Sequence, residues 1–380
     1  MHKDPDTLSP GLRQMIQARA RLVHASMSDP SWLISDPLLG FIAPLAGLRP
    51  VDPRRLARYV LLREVLKQIL LAFAERQIPA MLLKGLHYAD SLYPNPAIRP
   101  TQDIDLLVPP DRFQEAAMLL QEKGFRLQAG SPFEQSRFRT APGYIELPDG
   151  FDPTAFLCPG EVNLQHPGGA DVDLHWHISP DPFLRAVRPL PMNQFWQSAP
   201  ELSGYESDLL YHLARPLELF YMLFTWHRNG FRSNYALVDM DLLLQQESDQ
   251  RALWEQVADF ALRNQSRLFV YRALRLRERI CGADAAGVAI TRLEPGFFAR
   301  WRTLPLENER SILSKSKDGI PNRQRWFIQW MCVDRWTDTI KLLLVLICPP
   351  RAWLVFRYGS AGHWLQHWKR MLGTIFFARK

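Results

Sequence analysis

Apolar residues recur at two different spacings along this chain, and the change of spacing divides it. In RRLARYVLLREVLKQILLAFAERQ (54–77), Leu56, Val60, Leu66, Leu70 and Phe73 lie near helical spacing with charges between them, which predicts a long amphipathic helix. Ile78 and Pro79 end it, and AMLLKG (80–85) predicts a short apolar strand closed by glycine. A helix over LHYADSLYP and the Pro-rich NPAIRP follow. DIDLLV (103–108) alternates polar and apolar in its first half and predicts a second strand. Residues 112–123 suit a helix closed by Gly124, and GFRLQ suits a return strand. Between 129 and 170 Pro and Gly recur, so loops are expected around one or two short strands, with GYIEL a candidate. DVDLHWHIS (171–179) alternates throughout and is the clearest strand in the chain.

After Pro191 the period becomes helical. DLLYHLARPLELFYMLFTWHRNG, YALVDMDLLLQQ and RALWEQVADFALRNQSRLFVYRALRLRERI all carry it, with polar breaks between them. The expected class is α+β, organised as an N-terminal extension (1–50), a sheet-bearing unit (51–190), a helical domain (191–295) and a C-terminal segment (296–380). The extension reads as a short helix followed by loop.

Composition narrows the class. With 47% hydrophobic and 22% charged residues, the 380-residue chain is a folded globular protein with room for more than one core. Cys158, Cys281, Cys332 and Cys348 show no CxxC spacing, which argues against a structural zinc site or a disulfide framework and suits a reducing cytoplasm. The N-terminus lacks an apolar signal region, and the longest strongly apolar run, Leu342 to Cys348, is seven residues against the roughly 20 that span a bilayer, so no transmembrane helix is expected. Net charge is +7, unevenly placed: from Phe297 onward 15 Lys and Arg face 5 Asp and Glu, leaving the first 296 residues at −3. Seven of the twelve Trp share that basic segment, so packing, recruitment of an anionic acceptor or nucleic acid, and peripheral membrane contact all compete there. No nucleic-acid-binding motif accompanies the charge, and packing leads.

Candidate chemistry lies on the two acidic strands. Side chains alternate along a strand, so Asp103 and Asp105 share one face while Ile104 and Leu106 take the other. Paired carboxylates repel unless a cation lies between them, and oxygen ligands suit Mg²⁺ or Mn²⁺. On the later strand Asp171, Asp173, His175 and His177 share a face. If the strands are neighbours, a third carboxylate joins the first two, a set that suits metal-assisted phosphoryl transfer. The two histidines admit zinc only weakly, since no H-E-x-x-H or Cys partner accompanies them.

Lys84-Gly85, Arg99, Asp103-Ile104-Asp105-Leu106-Leu107-Val108 and Val172-Asp173-Leu174-His175-Trp176 resemble, in that order, the LKG, R, DIDLLV and VDLHW of the uncharacterised nucleotidyltransferase family of the DNA polymerase β-type superfamily. Trp226-His227 and Leu237-Val238-Asp239 resemble its helical portion. The resemblance implies a small mixed sheet with flanking helices, followed by a mainly helical half that covers a nucleotide cleft. It also implies Mg²⁺-dependent transfer of a nucleoside monophosphate from an NTP, with ATP favoured, to a hydroxyl-bearing metabolite, peptide or saccharide precursor. By position, Asp103, Asp105 and Asp173 would be the metal ligands and catalytic acids, with Asp173 beside the acceptor hydroxyl, and Gly85 would lie beneath the triphosphate. Lys84, Arg99, His227 and Asp239 are the further nucleotide-binding candidates, and His175 is a candidate support for the metal. The superfamily has Gly or Ser after the glycine, whereas this chain has Leu86, and 18 positions separate Gly85 from Asp103, a longer gap than usual. Two rival readings are a DxD glycosyltransferase using a sugar nucleotide and a non-catalytic nucleotide-binding adaptor of the same fold.

Overall fold

A computed structural model describes residues 8–23, 32–36, 39–155, 157–188, 190–231, 234–303, 322–359 and 364–369. Eight strands occur among them: β1 (Ala80–Leu82), β2 (Asp103–Leu107), β3 (Arg126–Leu127), β4 (Arg139–Ala141), β5 (Tyr144–Ile145), β6 (Glu161–Gln165), β7 (Asp171–His175) and β8 (Leu210–Tyr211). Six form a mixed sheet in the order β3-β6-β7-β2-β1-β8, and β4 and β5 form a separate hairpin. Within the large sheet β2 runs parallel to β7 and β1 parallel to β8, while the other neighbours are antiparallel. The class is α+β, as expected.

Alternation decides which face each residue serves. Ile104, Leu106, Val162, Leu164, Val172 and Leu174 are buried on one face, in a core shared with the helices Pro53–Glu75 and Phe113–Glu122. Met81, Leu83 and Leu107 pack from the other face into a second core, with Phe220 and Leu223 of the helix Arg215–Arg228 and with the helices that follow it. The acidic residues of β2 and β7 therefore lie on the face that the helical half covers.

Three local expectations are corrected. Leu56 and Val60 are 50% and 56% exposed, because the buried stripe of their helix runs through Leu62, Leu66, Ile69 and Phe73, from which both are rotated away. The helix expected over DLLYHL is instead β8. Pro216 fits the first turn of a helix, so helix Arg215–Arg228 begins there and frees Leu210 and Tyr211 to pair with Ala80 and Met81. Alternation along β7 ends at His175: Trp176 and Ile178 enter different cores, and His177 accepts a hydrogen bond from the Ser179 N–H at 2.9 Å.

Part of the C-terminal segment packs on the sheet-bearing unit. Phe356, in helix Arg351–Tyr358, is 1% exposed and meets Phe133 at 5.2 Å and Phe138 at 6.0 Å between ring centroids. The Arg137 N–H donates to the Phe356 carbonyl at 3.1 Å. Packing thus accounts for this stretch, whereas 304–321 and 370–380 of the basic segment lie outside the described residues. Phe356→Ala should cost about 3–5 kcal/mol of stability, read as a lower denaturant midpoint. An unchanged midpoint would show that this helix adds nothing to the core.

Candidate active site

The register of two parallel strands builds the site: Asp103 pairs with Asp171 and Asp105 with Asp173, so both acidic pairs stand side by side on one face. Asp105 is fully buried and ringed by cations. Lys84 Nζ lies 2.8 Å from its Oδ2 and 3.8 Å from Asp103 Oδ2, and His175 Nε2 lies 3.2 Å from its Oδ1. Burial opposes ionisation of Asp105, yet Lys84 and His175 outweigh it and hold the carboxyl well below its usual range. The cation required between Asp103 and Asp105 is, in this structure, the Lys84 ammonium.

Glu161 and Asn163 complete the cluster from β6, opposite His175 and Asp173 in register. Asn163 Nδ2 donates to Asp173 Oδ1 at 2.7 Å. Glu161 Oε2 lies 3.3 Å from His175 Nδ1 and 3.5 Å from Arg228 Nη1. Burial works against a charge on His175, but its bond to Asp105 and the nearby Glu161 prevail and raise its pKa. Asp173 goes the other way: burial first, then the charges of Glu161, Asp105 and Asp103, push its pKa up to about 7. The buried Tyr221 hydroxyl has no hydrogen-bond partner among the described residues and interacts electrostatically with Lys84, Asp105 and Arg228.

Glu161, Asn163, Tyr221 and Arg228 were not among the sequence candidates. Glu161 and Asn163 fall where Pro and Gly predicted loops, although EVNLQ itself alternates. Arg228 directly follows the family-like Trp226-His227 pair.

The other candidates divide. Gly85 has φ +62°, a left-handed conformation that disfavours side chains, and an added Cβ would stand 3.2 Å from the Asp103 carbonyl oxygen and 3.9 Å from Asp105 Oδ2. Arg99 and Asp239 are buried against each other, with Nη2 to Oδ2 at 2.8 Å and Nε to Oδ1 at 3.0 Å. Tyr93 donates to the same Asp239 Oδ1 at 2.8 Å, and Arg99 Nη1 donates to the Gly85 carbonyl at 3.3 Å. This pair ties the helical half to the glycine turn. His227 is fully buried among Phe269 and Phe231, with centroids at 5.0 and 5.3 Å, and burial, aided by Arg188, holds its pKa far down. Asp171 is half-exposed at the strand start, 3.2 Å from Gln165 Nε2 and 4.0 Å from Arg58.

One ligand atom each from Asp105, Asp173 and His175 lies within 4.8 Å of the other two, a spacing that fits a single cation. The two carboxylates suit Mg²⁺ or Mn²⁺. His175, with both ring nitrogens near carboxylates, suits a protonated counterion as well as a ligand. His87, His212 and Glu218 form a second such group, but His87 Nε2 already lies 2.9 Å from Glu218 Oε1, and Arg215 donates to Oε2 at 2.9 Å.

A family model described as uncharacterised nucleotidyltransferase matches residues 54–282, more than half of the chain and every residue of this cluster. The chain belongs to that family. No curated protein matches it. The family assignment points to nucleotidyl transfer and to a nucleotide substrate, and the cluster on β2 and β7 is where the chain offers groups able to hold a metal. Among the described residues no helix is long and apolar enough to cross a membrane.

The raised pKa of Asp173 has a measurable sign. The native state keeps a proton on Asp173 up to about 7, whereas the unfolded chain releases it near 3.8. Its contribution to stability is therefore present at low pH and lost as pH rises between those values. Without divalent ions, Asp173→Asn and wild type should differ least near about pH 4, and by about pH 8 the variant should have gained roughly 2–4 °C or more on wild type. A constant difference across that range would contradict a buried anion cluster.

Proposed function

We propose that the protein transfers a nucleoside monophosphate from an NTP, with ATP favoured, to a hydroxyl-bearing acceptor, in a reaction that requires Mg²⁺ or Mn²⁺. The observation that carries this reading is the in-register pairing of Asp105 with Asp173 beside Asp103, beneath the Gly85 turn. Asp103, Asp105 and Asp173 would hold the metal. A bound divalent cation supplies charge neutralisation at the phosphoryl oxygens.

The remaining work falls to side chains of this chain. Lys84, released from the carboxylates it now bridges, donates to phosphate oxygens and takes the place of the contact that Leu86 cannot make. Arg228 adds a second donor from the helical half. Asn163 fixes one Asp173 oxygen and leaves the other to accept the proton of the acceptor hydroxyl as it attacks the α-phosphate, with pyrophosphate leaving. Arg99 and Asp239 position the Gly85 turn, and His227 shapes the packing behind Arg228. The metabolite, peptide or saccharide class of acceptor follows from the family resemblance alone.

The test is incubation of the protein with each NTP, Mg²⁺ and candidate acceptors, followed by mass spectrometry. Acceptor gaining a nucleoside monophosphate, with pyrophosphate released, is the expected result. Release of a nucleoside diphosphate from a sugar nucleotide would replace this reading with glycosyl transfer, and tight NTP binding without product would replace it with an adaptor role.

A further inference from the structure

The helix Trp336–Ile347, WTDTIKLLLVLI, packs on one side only. Leu342 is 1% exposed and joins Leu184, Val187, Trp330 and Val333 in a small core. On the far side Trp336, Ile340, Leu343, Leu344 and Ile347 are 68%, 43%, 49%, 57% and 42% exposed. At about 100° per residue these five fall within an arc of about 100°, a continuous apolar stripe along the whole helix. Scattered exposed apolar residues are ordinary, but a stripe of this length marks a contact surface.

Charge indicates what covers it. The segment from Phe297 onward carries ten more positive than negative charges, against −3 for the rest of the chain. Lys341 flanks the stripe, and Arg335 and Arg351 are exposed just before and after the helix. The helix's one acid, Asp338, is 3% exposed and paired with Lys341 at 3.0 Å, so the helix itself sets no free carboxylate beside its apolar face. An exposed Trp at one end suits the headgroup level of a bilayer. At about 1.5 Å per residue the helix is about 18 Å long, too short to span a hydrocarbon core of about 30 Å but suited to lying in its surface.

We propose that the Trp336–Ile347 helix docks the protein on a membrane surface containing anionic lipid, with its apolar stripe in the interface and its flanking cations on the headgroups. The proposal stands apart from the transfer reaction, since none of these residues touches the acidic cluster.

Flotation of the full chain with vesicles tests it. The protein should float with phosphatidylcholine vesicles containing phosphatidylglycerol, and roughly tenfold less with phosphatidylcholine alone or at high salt. The double variant Ile340→Glu, Leu344→Glu changes two exposed positions, so it should keep the wild-type melting temperature while losing vesicle binding by roughly tenfold or more. Wild type that stays with the soluble fraction beside anionic vesicles would overturn the proposal, as would a double variant that floats like wild type. So would a wild-type dimer by light scattering that the double variant converts to monomer without any vesicle binding, because a second copy of the chain would then cover the stripe.

Discussion

Asp173→Asn should lower turnover by roughly 10² to 10⁴ while leaving NTP affinity almost unchanged, the range expected for a lost general base. The substitution preserves size and can keep a hydrogen bond to Asn163, now 2.7 Å from Asp173 Oδ1, but removes charge and basicity. Asp171→Asn is the control. Asp171 pairs across the strands with Asp103, and its carboxylate is met by Gln165 and Arg58 at the strand start, so its loss should be mild. Steady-state kinetics with an identified acceptor, together with nucleotide titration of each variant, decide the matter. Transfer abolished by Asp171→Asn but retained by Asp173→Asn would reverse the assignment, and no effect of either would move the third carboxylate off β7.

Asp105→Asn should remove the dependence of nucleotide binding on divalent ions. Asp105 is the carboxylate that Lys84 and His175 both face, and it is the β2 member of the three groups that can converge on one cation. In wild type, NTP affinity measured by calorimetry should rise when Mg²⁺ is supplied, because the phosphates and the acids share the ion. In the variant the two titrations should coincide. Removing one partner of a buried ion pair also costs about 3–5 kcal/mol, so the variant should melt earlier. Wild-type affinity that is indifferent to Mg²⁺ and Mn²⁺ would refute a metal role for these acids.

Much of this site was legible because strands write their faces into sequence at a period of two. DIDLLV and DVDLHW place four acids on polar faces without any knowledge of the fold, and the Ala80–Leu82 strand with its glycine turn was equally plain. What sequence could not supply was adjacency. That Asp105 lies beside Asp173 follows from a parallel register between segments with more than sixty residues between them, and no local pattern encodes it. Glu161 was hidden for the opposite reason: its strand is short and surrounded by Pro and Gly, so local turn chemistry outweighed the alternation of EVNLQ. Helical periodicity misled at DLLYHL, where a sheet edge needed Leu210 and Tyr211 more than a helix did. Arg99 and Asp239 were each read as facing nucleotide, and their mutual bond is a long-range pairing that neither residue announces.

Phe356 sets an order on the birth of the molecule. Its partners Phe133 and Phe138 lie more than two hundred residues earlier, so during synthesis the sheet must wait with that site unfilled until Phe356 itself has left the ribosome. A nascent chain stalled between β7 and this residue holds the complete set of acids yet not the complete core. Premature termination between β7 and the helix Arg351–Tyr358 should therefore yield a product recognised by proteases rather than a merely shortened protein.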